Sequence, residues 1–476
     1  MHVIYVLSLR PRAVLLETLD AGIAMTHENQ LKVQERIAAL RACNGASLDL
    51  SSCGLTSVPA EALELGDQLE LLNLGDNAIA DVPAELPLKL AKLRVLFFAN
   101  NLFESIPEVL SKMTNLYMLS FKSNRLRCIS ETCLPPSIGW LILTDNQIAA
   151  LPKSIGQLTH MRKLMLSGNK LVSLPDEMRA MTSLELVRLA ANKLTSLPPW
   201  LLELPKLSWI AFGGNAFNHR ETPCDNQEGS GTADIIEWSD LVLGEKLGEG
   251  ASGSVYRASL QGGTQAAVKI FRAATTSDGL PEDEMRACIA AGAHASCVAV
   301  VGVVRGHPAG AVVLAFKLVP ESFRVLAKPP SFETVTRDVY PEGVSMEPCA
   351  AVSVLRQIAS ACRHLHGRGL SHGDLYGHNI LVDGGEALLS DFGAASPYGS
   401  FLHDAARIRV ERVEVRAFGC LVEELLLLLR GGGDMAVYSS AIGVLVSIAR
   451  ACCAEVVAER PAFSEIETIL AGLMDY

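Results

Sequence analysis

The chain lacks an excess of positive charge: 52 Asp and Glu outnumber 41 Lys and Arg, and the formal net charge is −11. A nucleic-acid binder usually displays a basic face, so no such partner is expected. Cysteine is not scarce, but its pattern lacks order. Of the 12 cysteines, Cys128 and Cys133 lie close and Cys452 and Cys453 are adjacent, with no regular framework. Reduced thiols are therefore expected. Long uninterrupted apolar runs are missing as well. The stretch 436–457 has the length to cross a bilayer, but Arg450 and Glu455 interrupt it. Residues 1–7 form a short apolar run that Arg10 and Arg12 soon break, which is too short for a secretory core. These absences predict a cytoplasmic chain without a membrane span.

What is present is repetition. At 476 residues the chain has room for two or three domains with ample cores. Residues 13–43 read as a helix with Leu31, Val33, Ile37 and Leu40 on one apolar side, a cap for the repeats beyond it. From 45 to 217 the pattern L-x-x-L-x-L-x-x-N-x-L-x-x-L-P recurs. Its Asn-type position falls at Cys53, Asn77, Asn101, Asn124, Asn146, Asn169, Asn192 and Asn215, a spacing of 22 to 24 residues. One unit is Met161, Leu164, Leu166, Asn169, Leu171, Leu174 and Pro175. A unit of this size cannot bury its apolar edge alone, so neighbours must stack. The Asn side chains are expected to satisfy backbone groups where the chain leaves each strand. The pattern resembles leucine-rich repeats, which implies a solenoid of the α/β horseshoe type. Its exposed strand positions would be Leu71, Val95, Phe97, Met118, Trp140, Ile142, Met165, Leu186 and Trp209, with Asn73, Lys122, Lys163 and Arg188 interspersed. An apolar, aromatic-bearing surface of this kind predicts a protein substrate or regulator bound there, with Leu71, Phe97, Met118, Trp140, Met165 and Trp209 as contacts.

The second half carries motifs in a fixed order. Residues 247–255 read Leu-Gly-Glu-Gly-Ala-Ser-Gly-Ser-Val, placing Gly248, Gly250 and Gly253 between two β-like runs, 240–246 and 254–260. A dinucleotide-binding turn shares this glycine spacing but opens a helix, and no helix pattern comes after it here. The next β-like run, 266–270, carries Lys269. A helix beginning near Pro281 offers Glu284, or Glu282 as the alternative. Then come His372-Gly373-Asp374-Leu375-Tyr376-Gly377-His378-Asn379 and Asp391-Phe392-Gly393. Together these resemble the glycine loop, the β-strand lysine, the catalytic loop and the metal-binding motif of a protein kinase. Glu459-Arg460-Pro461 resembles the closing motif of tyrosine kinases and the tyrosine-kinase-like group.

The resemblance implies an α+β chain, a leucine-rich-repeat solenoid followed by a bilobal kinase-like domain. The expected boundaries are a capping segment at 1–44, repeats at 45–217, a polar Gly/Ser-bearing flexible linker at 218–237 and the kinase at 238–476. Strands are expected at 298–304 and 311–318 and a helix at 351–366. The central large-lobe helix should begin near 412–419, with Glu414 where the family usually has Asp, and 436–457 becomes a buried helix. The implied chemistry is transfer of the ATP γ-phosphoryl group with Mg²⁺. Gly248, Gly250 and Gly253 would cover the phosphates, while Val255, Ala267, Phe316 and Leu318 would surround the base. Lys269, held by Glu284, would pair with the α and β phosphates. Asn379 and Asp391 would hold metal, and Asp374 would position the acceptor hydroxyl.

The sequence also departs from the family. Gly373 stands where members often carry an Arg that pairs with a phosphorylated activation loop. The segment 391–414 is short and lacks an Ala-Pro-Glu motif, so Glu411 is a candidate partner for Arg460. Tyr376 replaces the Lys usual in serine/threonine kinases, leaving the acceptor open, with Ser/Thr the commoner outcome. The leading expectation is a protein kinase for signal transduction whose repeats recruit a partner. The alternatives are a small-molecule phosphotransferase of the aminoglycoside or choline type and a pseudokinase scaffold.

Overall fold

The computed structural model describes residues 27–219, 234–250, 252–272, 275–399, 402–430 and 435–473. Its packing divides the chain into two units. One comprises Met1–Met161 with Asn169–Met178, and the other Arg162–Gly168 with Arg179–Tyr476.

In the first unit, helix His27–Cys43 buries Val33, Ile37 and Leu40 but leaves Leu31 exposed. The expected helical residues 13–26 lie outside the described residues. Five three-residue strands come next: β1 (Ser47–Asp49), β2 (Leu71–Asn73), β3 (Val95–Phe97), β4 (Met118–Ser120) and β5 (Trp140–Ile142). They pair in parallel and in register. The central leucine of each strand, such as Leu72, Leu96, Leu119 and Leu141, is fully buried. Each such leucine contributes roughly 1.5–3 kcal/mol of transfer free energy. Two of the return paths open on a proline. Pro107 and Pro152 start the 3₁₀ turns Glu108–Lys112 and Lys153–Gln157, where their missing N–H costs nothing.

The asparagine ladder works as expected. Asn77 Nδ2 donates to the carbonyls of Leu50 (3.0 Å) and Leu74 (2.9 Å), while its Oδ1 accepts from the backbone of Cys53 (3.1 Å) and Leu55 (2.9 Å). Asn101 repeats the arrangement, accepting from Ile79 N and donating to Leu74 O. The residue before each ladder position turns left-handed: Ser52, Asp76, Asn100, Ser123 and Asp145 all have φ between 53° and 58°. Of the expected exposed positions, Leu71, Phe97, Trp140 and Ile142 are half-buried. Val95 and Met118 are instead buried, Val95 lying between Leu71 and Met118 in the register and Met118 between Val95 and Trp140.

The second unit begins with three more strands of the same kind: β6 (Lys163–Met165), β7 (Leu186–Arg188) and β8 (Trp209–Ala211), again parallel. Packing therefore does not divide the chain at residue 217, because these strands belong with the C-terminal half. Residues 220–233 of the expected linker lie outside the described residues. Asp234–Glu237, read from composition as its end, instead form β9, which pairs in parallel with Val300–Arg305. A six-stranded sheet runs in the order β10, β11, β12, β14, β13, β9, with β10 (Leu241–Glu249), β11 (Gly253–Leu260), β12 (Gln265–Phe271), β13 (Val300–Arg305) and β14 (Val313–Lys317). Helix Pro281–Ala291 comes after β12 in sequence. Helices Pro348–Gly367, Asp404–Leu428, Met435–Cys452 and Phe463–Gly472 build the larger lobe around Leu355, Ile358, Cys362, Phe418, Leu425 and Ile466. The central helix already begins at Asp404, ahead of the position expected from sequence. His403 caps it, its Nδ1 accepting from Ala406 N at 3.2 Å. Among the described residues no helix is long and apolar enough to cross a membrane, and every cysteine is a free thiol.

Candidate active site

A cleft of about 240 Å³ opens within the second unit. Gly248, Gly250, Gly253, Val255, Lys269, Thr276, Asp278, Glu284, Asp391 and Gly393 are among its lining residues. Hairpin β10–β11 forms its roof, and Gly250 N closes the turn on Gly253 O at 2.9 Å. The glycines differ in their reasons. A Cβ at Gly248 or Gly250 would meet nothing, whereas one at Gly253 would lie 2.3 Å from Ile270 O. Gly253 is thus required by the close approach of β11 to β12.

Lys269 projects from the middle of β12 and forms an ion pair with Glu284 of helix Pro281–Ala291. Glu284 is buried and Glu282 is exposed, which removes Glu282 as the alternative partner. Burial strips hydration from the Lys269 ammonium, yet the Asp391 and Glu284 carboxylates outweigh that cost and hold it above its usual value. Lys269 is therefore a fixed cation at the cleft wall. Ala267 and Phe316 stand opposite each other across β12 and β14, and Leu318 comes after β14 half-buried. These three lie beside the cleft rather than in its lining.

The loop after the short strand Leu370–Ser371 is held from behind by Glu414. Its Oε1 accepts from Gly373 N at 2.7 Å and from Ser371 Oγ at 3.2 Å, while His366 Nε2 lies 2.7 Å from Oε2. Burial acts to raise the Glu414 pKa, but the His366 hydrogen bond and neighbouring charge hold it below the usual carboxylate range. Asn379 Nδ2 donates to Asp374 Oδ2 (2.7 Å) and to Asp374 O (2.9 Å). Asp374 and Asn379 are thereby brought together, outside the cleft lining. Asp391 takes a left-handed backbone (φ 55°) and accepts from Gly393 N at 3.2 Å. Phe392 is buried beside His372, with ring centroids 5.2 Å apart.

Three features escaped sequence reasoning. Asp278, in the loop before helix Pro281–Ala291, lines the cleft, and burial raises its pKa against the pull of Arg188. Arg188 of β7 lies against Asp374 and Asp278. Trp209, expected on an exposed face, is buried against Tyr376, and Leu186 joins the same hydrophobic core. Glu411 does not serve Arg460. It accepts from Tyr398 Oη, while Arg460 donates to the carbonyls of Arg412, Ala454 and Pro205.

Residues 241–405 match the protein kinase domain family and residues 67–126 the leucine rich repeat family. CBL-interacting protein kinase 22 of Oryza sativa subsp. japonica is 33% identical over 178 residues, 35% of this chain and 39% of that protein. The probable serine/threonine-protein kinase pats1 of Dictyostelium discoideum is 34% identical over 126 residues, 25% of this chain and 4% of that one. An adenylate cyclase of Podospora anserina is 27% identical over 137 residues, 28% of this chain and 6% of that protein. The chain spans well under half the length of each of these curated relatives. A solved leucine-rich-repeat protein of Leptospira interrogans overlays with a TM-score of 0.34 at 25% identity, over 40% of this chain and 54% of that one. That likeness is too distant to support any inference.

Proposed function

We propose that this chain, which joins leucine-rich repeats to a protein kinase domain, transfers the ATP γ-phosphoryl group to serine or threonine hydroxyls of a protein. The observation that carries this reading is the Lys269–Glu284 pair in one cleft wall, with Asp391 and the glycine hairpin lining the same cavity. The fixed cation suits a polyphosphate, and the Asp391 carboxylate suits a divalent cation carried with it. In the reaction, the acceptor oxygen bonds to the γ-phosphorus as the bond to the β–γ bridging oxygen breaks. ADP leaves, and the hydroxyl proton passes to Asp374.

Lys269 orients the α and β phosphates, and Glu284 fixes the lysine. Asp374 positions the acceptor. Asn379 and Asp391 offer hard oxygen donors, the ligand type that Mg²⁺ takes. With its Nδ2 committed to Asp374, Asn379 presents its amide oxygen. When bound, the cation neutralises charge on the phosphates. The half-buried Leu71, Phe97 and Trp140 of β2, β3 and β5 are the proposed contacts for a protein partner in signalling.

The test is an assay with ATP and Mg²⁺ containing a generic protein acceptor, small alcohols or no acceptor, with Asp374→Ala as control. Transfer to protein that disappears in the control supports the reading. Transfer to the alcohols alone replaces it with a small-molecule phosphotransferase. Nucleotide binding without transfer, in the chain and in its Arg188→Ala variant, replaces it with a scaffold.

A further inference from the structure

The second unit contains its own obstruction. Arg188, on β7, is 3% exposed and turns its guanidinium onto the catalytic loop. Its Nη1 donates to Gly373 O at 2.8 Å, its Nη2 to Asp374 Oδ1, and its Nε lies 3.0 Å from Asp278 Oδ1. Asn379 already occupies Asp374 Oδ2. Both carboxylate oxygens of the residue assigned to the acceptor are therefore engaged, one of them by a side chain from the repeats.

The neighbouring contacts close the approach. Trp209 of β8 stacks on Tyr376 with ring centroids 4.3 Å apart and planes 4° from parallel, and its Nε1 donates to Leu375 O at 3.0 Å. Ser396 Oγ accepts from Phe212 N (2.9 Å) and Gly213 N (3.2 Å), and Asn218 Nδ2 reaches Pro397 O at 3.2 Å. Gly373 makes the fit possible. It has φ 73°, and a Cβ there would lie 2.6 Å from Ile210 O and 2.7 Å from Ala394 O. Only glycine lets the backbone of β8 rest on the loop one residue before Asp374. An acceptor hydroxyl must come within about 2.6–3.2 Å of that carboxylate, and the space is taken. Among the described residues, none from the repeats lines the nucleotide cleft.

We propose that the β6–β8 face is an autoinhibitory gate: Arg188 and Trp209 hold the catalytic loop closed to protein acceptors while the nucleotide cleft stays open. The gate rests on the reading of Asp374 as the acceptor-positioning residue. A guanidinium is suited to the task because its planar fork engages a carboxylate and a carbonyl together.

The experiment compares the full chain with Arg188→Ala and Arg188→Gln, the second keeping bulk and a hydrogen-bond donor in case the first fails to fold. Dephosphorylated casein is the acceptor, and a fluorescent ATP analogue reports nucleotide affinity. Either variant should raise casein phosphorylation by about tenfold or more, because breaking the closed contact raises the competent fraction. Nucleotide affinity should stay within about twofold. Amide exchange over residues 372–376 should rise in step. A rate unchanged or lowered in both variants, with the unsubstituted chain active and Asp374→Ala inactive, overturns the gate and leaves the kinase reading intact. Nucleotide binding with no transfer in the unsubstituted chain or either variant overturns both.

Discussion

A single buried amide shows how much one residue carries. Asn101 donates to Leu74 O (2.9 Å) and Ala99 O (3.2 Å) and accepts from Ile79 N (2.9 Å), all within the first unit. Asn101→Ala orphans the buried Ile79 N and removes one of the two donors that Leu74 O and Ala99 O each have, leaving them Asn77 Nδ2 and Asp76 N. The expected loss is about 1–3 kcal/mol, read as a lower urea midpoint for the repeat transition; an unchanged midpoint would show the ladder to be decorative. This role was legible in sequence because Asn recurs at every ladder position after Cys53. The left-handed residue before each ladder position was not, since Ser52, Asp76, Asn100, Ser123 and Asp145 share conformation without sharing identity. Arg188 was less legible still. Its partner Asp374 lies 186 positions away, and no periodicity reports a pairing of that range.

At the scale of elements, the catalytic loop depends on the helix behind it. Glu414 ties Ser371, Gly373 and His366 together from helix Asp404–Leu428. Its carboxyl is held below the usual range, so its stabilisation is present above the unfolded value of about 4.3. That stabilisation is lost as pH falls through the lower folded value. Amide exchange of residues 370–374 should therefore accelerate below about pH 4.3, and Glu414→Gln should flatten that dependence. The same variant should cost about 1–3 kcal/mol at neutral pH. A pH profile identical in the two proteins would remove Glu414 from this role. Strand and helix positions in the kinase half were legible from β-like runs and glycine context, because local backbone preference sets them. The early start of the central helix at Asp404 was not, since the segment before it has no family motif to mark the boundary. Gly253→Ala should loosen β11 against β12, because its Cβ would lie 2.3 Å from Ile270 O. A lowered midpoint for the second unit's transition is the expected readout, and an unchanged one would show that the hairpin can shift to absorb the methyl.

Across the whole chain, the sequence divides where composition changes, but the packing divides among the repeats. The polar stretch after residue 217 is a real change of composition. The three strands before it nonetheless bury Leu186 and Trp209 in the core of the second unit. Exposed positions in a repeat template are exposed only if nothing docks on them, and a template cannot reveal the dock. The hints were negative ones, Gly373 in place of a bulky cation and a short segment after Asp391. Both become intelligible once Ile210 is seen against Gly373 and Phe212 against Ser396. The central claim is that Lys269, Glu284, Asp374, Asn379 and Asp391 form one phosphoryl-transfer site. Asp391→Asn tests it most directly when single-turnover transfer and nucleotide affinity are measured on the same preparation. The account predicts a loss of transfer of about a thousandfold or more, with affinity changed by less than about tenfold. Transfer that survives the substitution within about tenfold would contradict it.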